Sequence, residues 1–223
     1  MPSAVRSLPA FVALILAAVA PAWGAVPADR PTPGFVRVRI ETSAGPIVLS
    51  LDPQRAPKTT ANFLAYVDDG RFEDTTFYRA ARRKTAPKFG FIQGGIDTDY
   101  RRMLPQIPHE PTNVTGIRHL DATVSMARGS RVGSAAGNFF ITVGAVPTMD
   151  ARGDYAGYAA FGHVVAGMDT VRRILAMPTG GGSDAMKGQM ILKPVRLIRA
   201  VRLDGVAKPT GQVKPWLLGI RPK

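Results

Sequence analysis

From residue 35 to residue 203 the chain is broken into short apolar-rich segments punctuated by glycine and proline, and only two stretches keep an apolar period near 3.6. Val36, Val38 and Ile40 alternate with Arg37, Arg39 and Glu41, which describes a strand with one buried face. Ala44-Gly45-Pro46 turns the chain and Ile47-Val48-Leu49-Ser50-Leu51 returns, so the two segments form a hairpin. Further strands are expected over 76–79, 89–93, 122–127, 138–143, 159–165 and 195–203. Pro57 suits the first turn of a helix that places Phe63, Leu64, Tyr66 and Val67 on one face and stops at Gly70. The second helix covers 168–175, with Met168, Val171, Ile174 and Leu175 inward. Many short strands and only two helices indicate an all-β barrel or sandwich, closed to remove its edges, with the helices capping the ends. The segment 186–194 reads as a loop. The tail 206–223, with Pro209, Pro215 and Pro222, is too proline-rich for a sheet interior, and its Trp216-Leu217-Leu218 either docks on the barrel or stays loose.

The first 24 residues read as a secretory leader: Arg6, an unbroken apolar run over 10–20, then Ala22 and Gly24 positioned for cleavage before Ala25. The run is far short of the roughly 20 residues that cross a bilayer. Residues 25–34, with Pro27, Pro31, Pro33 and Gly34, form a flexible lead-in, and one domain is expected over 35–205. The chain has 0 cysteines, so no disulfide contributes in an oxidising compartment. These features predict a periplasmic or secreted monomer. The formal charge is +13, but the basic residues (Arg37, Arg39, Arg71, Arg82, Arg83, Lys84, Arg101, Arg102 and others) are dispersed and no aromatic residues interleave with a basic cluster. Solvated faces, with weak contact to an anionic membrane surface, are expected in preference to nucleic-acid binding.

Several chemistries lack their residues. His109, His119 and His163 do not have the spacings of a metal site and are expected as surface or satisfied core histidines. No G-x-S-x-G occurs, and no serine is obviously placed with a histidine and a carboxylate. Gly180-Gly181-Gly182 is followed by Ser183-Asp184, not by the lysine and hydroxyl of a phosphate loop, so it reads as a flexible turn.

Five blocks remain: Phe77-Tyr78-Arg79, Phe91-Ile92-Gln93-Gly94-Gly95, Ser125-Met126-Ala127-Arg128, Gly137-Asn138-Phe139-Phe140-Ile141 and Phe161-Gly162. In this order, and with the helix beginning at Pro57, they resemble the cyclophilin family of peptidyl-prolyl isomerases over nearly all of 35–203. The resemblance implies a closed eight-stranded antiparallel barrel with two capping helices and an active site on the outside of the sheet. It implies catalysis by Arg79 and no cofactor. Phe140 would floor a proline pocket walled by Phe91 and Met149, and Gln93 and Asn138 would bond the substrate through their amides. The backbone around Met126, Ala127 and Arg128 would pair with an extended peptide, and Tyr158 would stand near the substrate carbonyl. The implied partners are unfolded or proline-containing exported polypeptides.

The sequence also departs from the family pattern. Residues 80–88 are longer than usual and carry Arg82, Arg83 and Lys84, and Gly90 leaves Phe89 and Phe91 as alternatives for one wall. Thr148 replaces a common tryptophan, which should weaken binding of cyclosporin-like cyclic peptides, and Gly137-Asn138 replaces Ser-Gln. A noncatalytic peptide-binding or chaperone-like module on the same scaffold is the alternative function.

Overall fold

The structure, a computed structural model, describes residues 31–218; the leader expected over 1–24 lies outside them. The first hairpin is β1 (Val36–Thr42) and β2 (Gly45–Leu51), followed by helix α1 (Pro57–Asp68). A second hairpin, β3 (Thr75–Arg82) and β4 (Gly90–Gly95), leads through the one-turn α2 (Thr112–Thr115) to β5 (Thr123–Met126), β6 (Asn138–Val143) and β7 (Ala160–Ala166). Helix α3 (Met168–Leu175), the two-residue β8 (Thr179–Gly180) and the long β9 (Met190–Arg202) complete the fold. The strands pair antiparallel in the order β1-β2-β7-β5-β6-β4-β3-β9, and β9 returns to β1 with Ile40 opposite Ala200, so eight strands close a barrel. Strand β8 pairs only with the start of β9.

Two elements differ from expectation. Helix α2 makes a third helix; at 4 residues it is too short to display a helical period. Strand β9 starts at Met190, inside the segment expected as a loop, because its pairing to β3 jumps: Val195 lies opposite Phe77 and Met190 opposite Arg79. The intervening residues bulge out of the ladder, where Pro194 needs no N–H.

Alternation fills the barrel. Ile40, Leu49, Phe77, Ile92, Val124, Phe139 and Phe161 are fully buried in one core. Helix α1 seals one end through Phe63, whose ring lies 5.1 Å from Phe72 and 5.2 Å from both Phe139 and Phe161. Ala56 gives this helix no side-chain cap. Instead the Glu110 carboxylate accepts the Lys58 and Thr59 N–H groups at 3.1 and 2.7 Å, a favourable place for an anion. At the other end of α1 Gly70 turns left-handed (φ 69°), and the Arg71 N–H returns to the Tyr66 carbonyl at 2.9 Å.

The basic residues are not simply solvated faces. Arg82 reaches the end of α3, donating to the Leu175 and Met177 carbonyls at 2.8 and 2.7 Å, a cation at a helix C-terminus. Arg37 pairs with Asp204 at 2.9 Å and Arg202 pairs with Asp68. Arg71 is 1% exposed, bonded to Asp69 at 2.7 Å and lying 4.9 Å from the ring of Trp216; Arg102 meets the same ring at 5.1 Å. Burial of arginine is tolerated only with such partners. The same contacts dock the tail, whose Thr210 also donates through its N–H and hydroxyl to Asp69 at 2.8 and 2.6 Å. Among the described residues no helix is long and apolar enough to cross a membrane.

Because Phe63 joins α1 to Phe139 and Phe161 of the barrel and to Phe72 in the turn before β3, Phe63→Ala should cost about 3–5 kcal/mol of unfolding free energy. Urea denaturation of the variant beside the wild type measures it.

Candidate active site

Strands β3, β4, β5 and β6 present one set of side chains to the core and the other to the outside of the barrel. Ile92, Met126 and Phe139 point inward. Their neighbours Phe91, Gln93, Ser125 and Phe140 take the opposite face. Ser125 sits beside Phe140 across the β5–β6 pair, and Gln93 beside Phe140 across the β4–β6 pair.

A bulge places the arginine. Phe77 pairs with Gly94, but Arg79 pairs with Gln93, so Tyr78 is an extra residue in β3. Two consecutive side chains, Tyr78 and Arg79, can then both meet Gln93, as a regular strand would not allow. The Arg79 Nη1 donates to Gln93 Oε1 at 2.9 Å, and Gln93 Nε2 donates to the Tyr78 hydroxyl at 2.7 Å. From across the fold, Gln189 Oε1 accepts Arg79 Nε at 2.9 Å and the Ala185 carbonyl accepts Nη2 at 3.0 Å. Gln189 is fixed in turn by donating to that same carbonyl at 3.1 Å. Every one of these partners is neutral. Burial pulls the guanidinium below its ordinary range, yet it remains a cation, and it lies 5.0 Å from the Phe91 ring. Burial pushes the Tyr78 phenol up, so it stays protonated.

Phe91 also lies 5.3 Å from Phe140, so one aromatic ring touches both the cation and the apolar floor. Of the two phenylalanines left open by the sequence, it is Phe91 that faces the site; Phe89 lies beneath Arg83 and Lys88. Tyr158 meets Phe140 edge-on at 5.5 Å and is itself covered by Arg128, 5.0 Å from its ring. Met149 belongs to a short 3₁₀ turn and accepts the Tyr158 N–H at 3.0 Å through its carbonyl. Thr148 is exposed in that turn.

Two of the expected substrate contacts need correction. Both polar atoms of the Asn138 amide are engaged with the Asp97 backbone, each at 2.8 Å, because so short a side chain reaches the adjacent loop first. The Met126 N–H donates to the Ala159 carbonyl at 3.0 Å and is not available to a peptide, and the side chain, 1% exposed, lies in the core. Ala127 and Arg128 do sit partly exposed at the end of β5; the Ala127 N–H, however, is taken by the Asn138 carbonyl at 2.8 Å. The final glycine of the Gln93-Gly94-Gly95 block has φ 121°, and a Cβ there would stand 2.2 Å from the Gly137 carbonyl. Only glycine allows that approach of β4 to β6.

The structure also assembles a group the sequence did not disclose. His119 lies between Asp150, 2.7 Å from Nδ1, and Ser125, whose hydroxyl is 2.9 Å from Nε2. This is a serine, histidine and carboxylate in line, against the expectation drawn from the sequence. Ser125 is 0% exposed, however, so no substrate reaches it as a nucleophile. His109 bonds the Ala156 carbonyl at 2.8 Å and His163 lies 6.3 Å from Phe35.

The family model for cyclophilin type peptidyl-prolyl cis-trans isomerases (CLD) matches residues 37–200. The chain belongs to this family. It is 35% identical over 175 residues to peptidyl-prolyl cis-trans isomerase A of Dickeya dadantii, covering 78% of this chain and 86% of that protein. A peptidyl-prolyl cis-trans isomerase of Streptomyces antibioticus is 34% identical, covering 72% and 98%. Among solved structures, a cyclophilin type isomerase of Cryptosporidium parvum superposes with a TM-score of 0.59 at 22% identity, covering 77% of this chain and 99% of that one, a likeness of fold. The five blocks of this cyclophilin-type chain therefore lie on a barrel of the family's architecture, and the chain is an isomerase.

Gln189 has no counterpart among the residues that the sequence singled out, since it lies 110 positions from Arg79 in a segment without periodicity. Removing its bond to the cation should loosen Arg79: Gln189→Ala is expected to lower kcat/KM about tenfold, in line with a hydrogen bond to a charged group. A protease-coupled peptide isomerisation assay reads the change.

Proposed function

We propose that this isomerase accelerates rotation about X-Pro bonds by stabilising the twisted amide with Arg79, and that its substrates are proline-containing segments of exported polypeptides. The observation that carries the reading is a half-buried guanidinium with only neutral hydrogen-bond partners, sharing the Phe91 ring with the apolar floor at Phe140.

Rotation about a peptide C–N bond meets a barrier of roughly 18–20 kcal/mol because resonance gives the bond double-bond character. Proline brings cis and trans within about 1 kcal/mol, so both isomers are accessible and exchange is slow. No nucleophile or metal is required; the catalyst must bind the twisted form better than either planar one. As the amide twists, the nitrogen lone pair leaves resonance and becomes an acceptor. A permanent cation with fixed N–H donors, held by neutral groups that leave its charge uncompensated, stabilises that state selectively. Of the five N–H groups on a guanidinium, the protein bonds named above occupy three, which leaves donors for the substrate.

Phe140 is 2% exposed beneath the part-exposed Phe91 and Tyr158, so in this reading those two rings move aside for the proline ring to rest on Phe140. Gln93 orients Arg79, and the Met149 turn supports Tyr158. The extended peptide passes the end of β5 beside the part-exposed Ala127 and Arg128. Exposed Thr148 leaves that side of the pocket without an aromatic wall, which favours open peptide substrates over bulky cyclic ligands. The protein acts as a periplasmic or secreted monomer, delivered by a leader cut before Ala25. Its residual basic surface gives at most weak contact with anionic membranes.

Arg79→Ala should lower kcat/KM for X-Pro peptides by about 10²–10³ while leaving the fold intact, and Arg79→Lys should fail to restore it. Equal rates for wild type and Arg79→Ala in an NMR exchange assay would remove the mechanism and favour a peptide-binding module. For delivery, the protein isolated from the periplasmic fraction should begin at Ala25 on N-terminal sequencing; recovery of an intact leader in the cytosol would overturn that part.

A further inference from the structure

We infer that His119 and Asp150 are positioning residues that fix the orientation of the Phe140 floor. The inference rests on the reading of Phe140 as the seat of the substrate proline and goes beyond it to the group behind that seat.

Three rings surround Phe140, and they differ in kind. Phe91 is tilted at 54° and Tyr158 stands edge-on at 89°, whereas the His119 imidazole lies nearly parallel at 14°, 5.7 Å away. A parallel neighbour covers the face of a ring and determines which way that ring can turn. His119 is 1% exposed and is held at both nitrogens and through its backbone. Its Nδ1 is 2.7 Å from Asp150 Oδ1, its Nε2 is 2.9 Å from Ser125 Oγ, and its N–H donates to Asp150 Oδ1 at 3.0 Å. The hydrogen-bond network assigns the tautomer: the carboxylate accepts the Nδ1 proton, so Nε2 accepts from the serine hydroxyl. A purely apolar side chain behind Phe140 could slide or change rotamer. An imidazole tied at both ends cannot turn without breaking both hydrogen bonds.

Its anchors belong to the pocket. Ser125 is the cross-strand neighbour of Phe140, and Asp150 follows Met149, whose carbonyl holds Tyr158. Around this chain the charged groups are Asp150 itself, with Arg118 and Arg152 lining the same surface cleft, while Tyr158 faces Phe140 from the other side. Burial lowers the His119 value below 6.5 against the opposing bond and charge of Asp150, so the ring is neutral at neutral pH. Protonation as pH falls through that lowered value adds a proton at Nε2, which ends the Ser125 donation and places a cation against Phe140.

Because the floor would hold the proline ring alike in cis, trans and twisted forms, disturbing it should remove uniform binding. His119→Asn and Asp150→Ala are therefore expected to raise KM for an X-Pro peptide about fivefold with kcat changed less than about twofold. The wild-type KM should rise at acid pH, and His119→Asn should abolish that rise. Ring-flip rates of Phe140, from NMR relaxation of labelled phenylalanine in the free protein, should increase at least about tenfold in both variants. A role confined to stability would instead reduce the active fraction, leaving KM and Phe140 flipping in the folded protein unchanged, and that result would overturn the inference. Should His119→Asn not fold, Asp150→Ala, which keeps the ring and removes the carboxylate that holds its Nδ1 and backbone N–H, decides the matter. If the wild type does not isomerise peptides at all, the functional reading falls, while the flip rates still judge the positioning of Phe140.

Discussion

The return of β9 onto β1, from Val38 opposite Arg202 to Thr42 opposite Leu197, is the constraint on which the other features depend. Closure leaves no open edge in the main sheet and divides every strand into an inner and an outer row. The inner row is filled by Phe77, Phe139, Phe161 and their aliphatic neighbours, with α1 as a lid carrying Phe63. A filled interior cannot be a binding site. Function must therefore be built on the outside, where side chains have the core at their backs and solvent in front.

Such a surface is hard to make rigid, and the molecule does so with polar bonds to otherwise exposed groups. The Tyr78 bulge brings two adjacent side chains to Gln93, and the segment before β9 supplies Gln189 and the Ala185 carbonyl to the other side of Arg79. The pocket is held likewise: Arg128 covers Tyr158, and the Asp150–His119–Ser125 chain backs Phe140. Each key side chain thus has a second residue that limits its motion. Preorganisation of this kind is what electrostatic catalysis requires, since donors that must rearrange during the reaction lose much of their advantage.

The charge of the chain is spent in a similar way. Arg82 terminates α3, Arg71 and Arg102 both lie against the Trp216 ring, and Arg37 and Arg202 secure the end of β9 through Asp204 and Asp68. Arginine serves here as a connector between elements, with a planar fork that reaches several acceptors at once. Arg79, like Arg82, is held by neutral acceptors, but it alone of these arginines lies against the Phe91 ring that touches Phe140 on the outer face.

Sequence alone determined the alternating strands, the two longer helices, the glycine stop at Gly70 and the five blocks that identify the family, because each depends on periodicity or composition within a few residues. It also singled out Arg79, Gln93, Phe91, Phe140 and Tyr158, which the fold brings into one connected group. It could not reveal the extra residue at Tyr78, since a bulge is defined by the register of a partner strand. Nor could it disclose that Asn138 is consumed by the Asp97 backbone, that Trp216 docks against two arginines, or that His119 stands behind Phe140. Gln189 meets Arg79 across 110 positions of chain. Local pattern fixes which face a side chain takes; only closure of the barrel decides which distant side chain waits there, because that depends on pairing energies summed over the whole sheet.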